Sequence, residues 1–159
     1  MAGTSVQGIL RALRGTAKPL YQASGVVEAP LPTIAELLAR VTAGKVSKDN
    51  AFLLFNDTGD NITLSGGPDT FQMPYGTAEV DRARNAFSTK GNWWYKSEYT
   101  VEPHQKGALL VLRVYNAATK GRFLVALVQG GIAATVGPNL DAVLAKITRV
   151  FGFKTHREH

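Results

Sequence analysis

The chain of 159 residues contains no cysteine. A disulfide framework, a cysteine-ligated zinc site and a thiol nucleophile are therefore excluded, and cysteine usage indicates no compartment. Long hydrophobic runs are absent too. The most apolar window, residues 123–136, is interrupted by Gln129 and is shorter than the roughly 20 residues of a membrane-spanning helix. Arginines interrupt the first 15 residues, so this segment lacks the continuous apolar region of a signal peptide.

Positive charge exceeds negative charge: 18 Lys and Arg stand against 12 Asp and Glu, for a net charge of +6. Such an excess favours anionic partners such as nucleic acid, anionic lipid or acidic glycans. The basic residues are scattered, apart from the tail KTHREH, and a scattered excess also serves solubility alone. Length and a 45% hydrophobic content predict one globular domain, residues 1–159. Within it, we expect residues 1–30 to form an N-terminal helical segment able to move separately.

Two helices are predicted in the first third of the chain. Residues 5–22 have apolar side chains at helical spacing, with basic residues on the other side. Residues 24–32, which contain two prolines, are predicted to interrupt regular secondary structure. A second helix is predicted from Thr33, which with Glu36 matches a capping box, to the stop signal Gly44.

The middle of the chain predicts strands and turns. Residues 51–55, 61–64 and 93–101 match strand patterns, and residues 108–115 and 122–128 predict a hairpin. Asn139 is predicted to cap a last helix that runs to residue 151. The fold class is therefore α+β, with helices at both ends of antiparallel β-structure.

Residues for catalysis are scarce. His156 and His159 lie in the tail, where adventitious metal binding is a better interpretation than a metal site, and no cofactor motif occurs. Asp57-Thr58-Gly59 matches the aspartic-protease tripeptide, but that chemistry needs two carboxylates that share a proton, and the chain holds one copy. We therefore predict no catalytic residue, no metal site and no cofactor, and expect that the protein is not an enzyme.

Nucleic-acid binding is one alternative. The basic residues Arg82, Arg84, Lys90 and Lys96 surround aromatic residues that could stack on bases. No helix-turn-helix, RRM-like or zinc signature accompanies them, so this partner ranks below lipid.

A membrane surface is the other partner class. The helix of residues 5–22 has the pattern of an interfacial amphipathic helix, although such a helix can equally pack on a sheet. Both tryptophans lie side by side as Trp93 and Trp94, and Trp and Tyr favour membrane interfaces. If residues 93–101 form a strand, Trp94 shares a face with Lys96, so we expect Trp94 to be exposed and Trp93 to be in the core. Packing of Trp94 under the N-terminal helix is an equal alternative.

Residues 31–59 resemble the N-terminal region of the actinoporins, the small pore-forming proteins of sea anemones. The matching elements are an amphipathic helix that ends at Gly44, a linker with Val46 and Lys48, a hydrophobic segment at 51–55 and the turn Asn56-Asp-Thr-Gly59. The segment GALLVLRVYNAATKGRFLVALV is similar to a strand pair of that family. The family's aromatic cluster after this pair has no counterpart, because residues 129–134 contain no ring.

The resemblance implies an antiparallel β-sandwich flanked by N-terminal and C-terminal amphipathic helices. It implies a soluble protein, cytoplasmic or secreted without a recognisable signal peptide, that binds anionic or phosphocholine lipid, inserts a helix and forms a homo-oligomeric pore. A lectin-like, glycan-binding function is the alternative, since fungal relatives of this fold bind sugars. The predicted membrane- or ligand-binding residues are Trp93, Trp94, Tyr95, Lys96 and Tyr99. The predicted inserting residues are Ile9, Leu10, Arg11, Leu13, Arg14, Leu37, Leu38 and Val41.

Overall fold

The structure is a computed structural model, and it describes residues 18–128 and 131–158. Residues 5–17 of the predicted helix 5–22 therefore lie outside the described residues. None of its described positions, 18–22, is helical, and Tyr21 begins the first strand. The predicted inserting residues Ile9, Leu10, Arg11, Leu13 and Arg14 also lie outside the described residues.

Within the described residues, nine antiparallel strands form one sheet in the order β2-β3-β4-β5-β6-β7-β8-β1-β9. Their bounds are β1 Tyr21–Val27, β2 Gly44–Lys45, β3 Thr63–Gly66, β4 Thr70–Met73, β5 Gly76–Asp81, β6 Ala86–Lys90, β7 Tyr95–His104, β8 Gly107–Asn116 and β9 Thr155–Glu158. Strands β3 to β8 follow one another as a meander, and the last of them, β8, pairs with β1 from the start of the chain. A sandwich of two packed sheets is not confirmed, since the strands run in one continuous order.

Three α-helices and two short 3₁₀ turns complete the described part of the chain. The α-helices are α1 Leu31–Ala39, α2 Val125–Val128 and α3 Ala133–Phe151, and the 3₁₀ turns are Phe52–Leu54 and Arg122–Leu124. Helix α1 packs on β5 to β8, and α3 packs on β1, β8 and β9. Both helices contribute to the same core as the inward side chains of the sheet, such as Phe87 and Leu110. The α+β class is therefore confirmed.

Helix α1 starts before the predicted cap. It begins at Leu31 after Pro30, with Pro32 in its first turn, where the missing N–H of proline has no helical acceptor to lose. No side chain caps it, so the predicted capping box of Thr33 and Glu36 is wrong. Ile34 and Leu38 of the predicted core face are buried, but the helix ends at Ala39 and not at Gly44, so the buried Val41 lies beyond it.

The composition of residues 24–32 predicts a segment without regular secondary structure. This prediction is wrong for the first half of the segment. Residues up to Val27 belong to β1, which is paired on both sides, with β8 and with β9. Gly25 fits there because α3 crosses it: an added Cβ would lie 2.5 Å from Leu144. Long-range pairing and a close helix therefore decide a segment whose local composition predicts a turn.

Two predicted strands are not strands. Residues 51–55 contain a 3₁₀ turn that begins after Ala51, which has a left-handed backbone with φ 53°. Residues 122–128 form a 3₁₀ turn and helix α2, so the predicted hairpin is wrong; both edges of β8 are taken by β7 and β1. A short apolar run does not distinguish a strand from a buried helix, and here tertiary pairing excluded the strand.

The last helix and the tail also differ from prediction. Helix α3 starts at Ala133, six positions before Asn139, and contains Pro138. Gly152, in the left-handed conformation, ends it, as a C-terminal glycine commonly does. Residues 155–158 of the tail form β9, in which His156 lies opposite Val26 of β1.

Candidate functional site

Four connections meet at one end of the sheet: the entry to β1, the β4–β5 turn, the β6–β7 loop and the segment after β8. The strand register places them together, since Lys90 lies opposite Lys96 and Tyr95 lies opposite Asn116. We name this part of the molecule the basic end and define it as residues 18–21, 74–77, 90–96 and 116–124.

All five exposed large hydrophobic side chains in the described part of the chain lie at the basic end. They are Leu20, Tyr75, Trp93, Phe123 and Leu124. Tyr75 and Phe123 are the most open, at 83% and 80% exposed. Scattered exposed apolar residues are normal on a protein surface, but their restriction to one end indicates a contact surface.

The segment after β8 has a defined conformation. The indole Nε1 of Trp93 donates to the carbonyl oxygen of Lys120 at 2.8 Å. Asn116 donates to the carbonyl oxygen of Arg122 at 3.2 Å and accepts from the backbone N–H of Ala118 at 3.0 Å. These polar contacts hold the loop while Phe123 stays outside it. The exposed ring of Phe123 is therefore carried by a loop whose backbone is held by hydrogen bonds.

The charge at the basic end has one sign. Its basic side chains are Lys18, Lys90, Lys96, Lys120 and Arg122. None of the four segments that define the basic end contains an Asp or a Glu. Apolar side chains and cations therefore share this end, which makes its surface both apolar and positively charged.

A polar cavity of about 670 Å³ opens beside the basic end, on the face of the sheet opposite the core. Cross-strand neighbours line it in two rows, Thr77-Lys90-Lys96-Tyr115 and Glu79-Ser88-Glu98. Lys18 and Arg122 complete the basic side of the lining. The cavity therefore has a cationic row nearest the basic end and an acidic row behind it.

The acidic row includes a buried ion pair. Glu98 is 5% exposed, and its two carboxylate oxygens accept from the Arg84 guanidinium at 3.2 and 3.3 Å. Burial and the Glu98 charge raise the pKa of the neighbouring Tyr115 phenol, which therefore stays protonated and able to donate. The carboxylate of Glu98 is thus already neutralised within the protein.

The structure separates the predicted binding residues. Strand β7 begins only at Tyr95, so the alternation assumed for Trp93 and Trp94 does not apply. Trp93 is the exposed ring, at 39%, and Trp94 packs against the core, which reverses our expectation for this pair. Tyr95 and Tyr99 also pack against the core, and burial raises the pKa of Tyr99 above its usual range.

Of the predicted binding residues, two offer side chains to the site, while its other residues are not apparent from the sequence. Lys96 lies in the cavity and Trp93 at the basic end. Phe123 and Leu124 are missed because the apolar pattern of residues 122–128 predicts a buried strand. The run Lys120-Gly-Arg-Phe-Leu124, where cations adjoin apolar residues after a glycine, is the available signal.

The predicted inserting residues of the second helix are engaged in the folded protein. Leu38 and Val41 are buried, and Leu37 packs against the same core. Insertion of this helix into a bilayer would therefore require the core to open.

Other chemically suggestive residues have structural partners. Asp57 accepts two hydrogen bonds from Arg149, both of 2.9 Å. His104 accepts from the backbone N–H of Lys106 and lies 3.7 Å from Glu158. Across residues 18–128 and 131–158, no three His, Asp or Glu side chains converge as a metal site would require.

No family model and no curated protein matches the chain. Among solved structures it is similar to TTHA0849 from Thermus thermophilus, with a TM-score of 0.44 and 16% identity over 82% of this chain and 98% of that chain. A likeness of this strength leaves function to be argued from the residues themselves. In the part of the chain described, no helix combines the length and the apolar character needed to cross a membrane.

Proposed function

We propose that the protein binds the surface of anionic membranes through its basic end. One observation carries the proposal: the exposed large hydrophobic residues and five basic residues share an end whose segments contain no Asp or Glu. Lipid headgroups of net negative charge attract such cations, by about 1 kcal/mol for each Lys or Arg near the surface. Aromatic side chains with polar tips favour the headgroup region that lies just beneath.

The composition of the surface favours lipid over nucleic acid. Trp93 could stack on a base, but Leu20 and Leu124 have no ring, and bases bind to single-strand readers mainly by stacking. Aliphatic side chains gain instead from burial in the acyl boundary. A sugar surface would likewise use Trp93 without needing the five cations.

Pore formation remains a prediction from the actinoporin resemblance, as do the β-sandwich and the N-terminal inserting helix. The residues that such a helix would use lie largely outside the described residues. Surface binding needs none of them, because it uses side chains that are already exposed.

Co-sedimentation with vesicles tests the proposal. We expect the protein to bind vesicles of phosphatidylcholine with phosphatidylserine, and to bind pure phosphatidylcholine far more weakly. The double variant Phe123→Ser/Leu124→Ser should bind anionic vesicles at least about tenfold more weakly, because each side chain loses a burial term of about 1.5–3 kcal/mol when fully inserted. Unchanged binding by this variant would contradict the proposed surface.

The charge contribution has a matched control. The variant Lys120→Gln/Arg122→Gln removes two cations. The loop itself is held through the backbone carbonyl oxygens of these two residues, which the substitutions leave in place. We expect a loss of about fivefold for each residue. Lys106→Gln, in the β7–β8 turn at the opposite end of the sheet, should leave binding unchanged. An oligonucleotide that binds more tightly than vesicles at the same salt concentration would instead favour the nucleic-acid alternative.

A further inference from the structure

Lys90 and Lys96 form an unusual pair. They lie directly opposite each other on the adjacent strands β6 and β7, and both line the polar cavity. Like charges at directly opposed positions of an antiparallel pair are destabilising. Nothing about the strand pattern requires lysine at both positions, so the pair costs stability in the isolated protein.

No carboxylate of the described residues forms an ion pair with either lysine. The nearest buried acid in the lining, Glu98, is bound at both oxygens by Arg84. Glu79, also in the acidic row, lies opposite Ser88 in the strand register. Lys90 and Lys96 therefore line the cavity as two cross-strand cations at its basic side.

We infer that the cavity binds a phosphate monoester between Lys90 and Lys96. The inference deepens the proposed function and rests on it for the lipid source, since a phosphate monoester can be a lipid headgroup or a free phosphorylated metabolite. A dianion matches two opposed ammonium groups in charge, and its bound oxygens would replace their mutual repulsion with charge-assisted hydrogen bonds.

The surroundings suit the rest of such a ligand. Tyr115 is the cross-strand neighbour of Lys96 and offers a protonated hydroxyl as a third donor. Arg122 and Lys18 add positive charge on the same side. The Ser88 hydroxyl, in the row behind, would accept a hydrogen bond from a hydroxyl group of the esterified alcohol. The ligand is therefore oriented, with phosphate toward the basic end and hydroxyls toward Ser88.

Isothermal titration of the full chain at low salt tests the inference in solution. The ligands are inorganic phosphate and glycerol 1-phosphate, with glycerol and sodium chloride as controls. We expect saturable binding of both phosphates and of neither control. Lys90→Gln and Lys96→Gln should each lower the affinity at least about tenfold, equivalent to about 1.4 kcal/mol. Lys106→Gln should not change it.

A second measurement, the melting temperature, distinguishes loss of the site from misfolding of the variant. In phosphate-free buffer, Lys96→Gln should raise the melting temperature, because it removes the repulsion of Lys90. Added glycerol 1-phosphate should raise the melting temperature of the unmodified protein by more than that of the variant at the same concentration. Absence of saturable phosphate binding, or equal binding by the lysine variants, would overturn the inference.

Vesicles separate the two sources of phosphate. At equal surface charge, phosphatidic acid presents a monoester and phosphatidylglycerol a diester, so tighter binding to phosphatidic acid, lost in Lys96→Gln, identifies a lipid headgroup. Vesicle binding without phosphate binding in solution would overturn the cavity site and leave the proposed function standing. Phosphate binding without vesicle binding would support the site for a free phosphate ester and overturn the proposed membrane function.

Discussion

The ammonium group of Lys146 on α3 lies 2.8 Å from the carbonyl oxygen of Phe52. It also donates to the carbonyl oxygens of Leu53 and Phe55, at 3.2 and 2.8 Å, and lies 4.7 Å from the centre of the Phe52 ring. One buried side chain thus supplies all three of its donors to a single 3₁₀ turn. This contact ties the apolar segment of residues 51–55 to α3 and explains why the segment is not a strand.

Lys146 should make stability depend on pH in the alkaline range. Burial lowers the pKa of Lys146 from its ordinary value of 10.5 to about 8. Between these values the unfolded chain holds a proton that the folded protein has released. The free energy of unfolding therefore rises with pH across this window.

The variant Lys146→Met removes the titrating group and isolates its effect. Urea unfolding at several pH values should show unmodified protein gaining stability relative to Lys146→Met between pH of about 8 and about 10. A difference that stays constant over that range would show that Lys146 has an ordinary pKa.

Lys146→Met should also destabilise the protein at neutral pH, by about 2 kcal/mol, because carbonyl groups of the 3₁₀ turn lose their donor. Lys154→Met, which changes an exposed lysine just after α3, is the matched control and should change the free energy of unfolding by less than about 0.5 kcal/mol. Equal effects of the two substitutions would contradict the role assigned to Lys146.

Gly25→Ala should destabilise the protein by overpacking. The added Cβ would lie 2.5 Å from Leu144 Cδ1 and 3.1 Å from the His156 carbonyl oxygen, so α3 and β9 would both have to shift. Forced shifts of this kind cost about 1–3 kcal/mol. Gly131→Ala, where a Cβ meets nothing within 4 Å, should be nearly neutral by the same unfolding measurement.

Tryptophan fluorescence should distinguish the two tryptophans. In Trp94→Phe the remaining Trp93 is exposed, and its emission should shift to shorter wavelength on addition of anionic vesicles, as the ring enters an apolar environment. In Trp93→Phe the remaining Trp94 packs against the core and should report little change. The opposite pattern would place the membrane contact elsewhere on the molecule.

Asp57 should stabilise the fold rather than catalyse. The hydrogen bonds from Arg149 lower the pKa of Asp57 below its ordinary value of 3.8. The stabilisation by this pair is therefore complete above pH of about 4 and is lost as the pH falls through the lower folded pKa. Asp57→Asn should be less stable than unmodified protein at neutral pH, with the difference shrinking in acid. A proteolytic activity that this variant abolishes would instead support the aspartic-protease interpretation.

Local pattern predicts some elements well. Helix α1 with its buried Leu38 and the last two-thirds of α3 follow from apolar residues at helical spacing. The α+β class follows from the same spacing. In these segments each residue's preference agrees with its tertiary surroundings, so local reasoning suffices.

The candidate site is much harder to predict. Lys90 and Lys96 are near in sequence, but their opposition across two strands depends on the register of the β6–β7 pair. Tyr75 and Phe123 lie at the same end of the sheet only because every second connection of a meander is at the same end. Composition points to the region of Trp93, but strand alternation wrongly predicts that Trp93 is buried and its neighbour Trp94 exposed.

The sequence by itself determined the absence of cysteine chemistry, the positive charge, the α+β class and the amphipathic faces that form the core. Those properties depend on residue identity and on spacing of a few positions. Tertiary structure alone decided that residues 51–55 form a turn held by Lys146, that β1 lies inside the sheet, and that apolar rings and cations share one end. Such decisions depend on contacts between residues that are distant along the chain, and no local pattern encodes which of them will form.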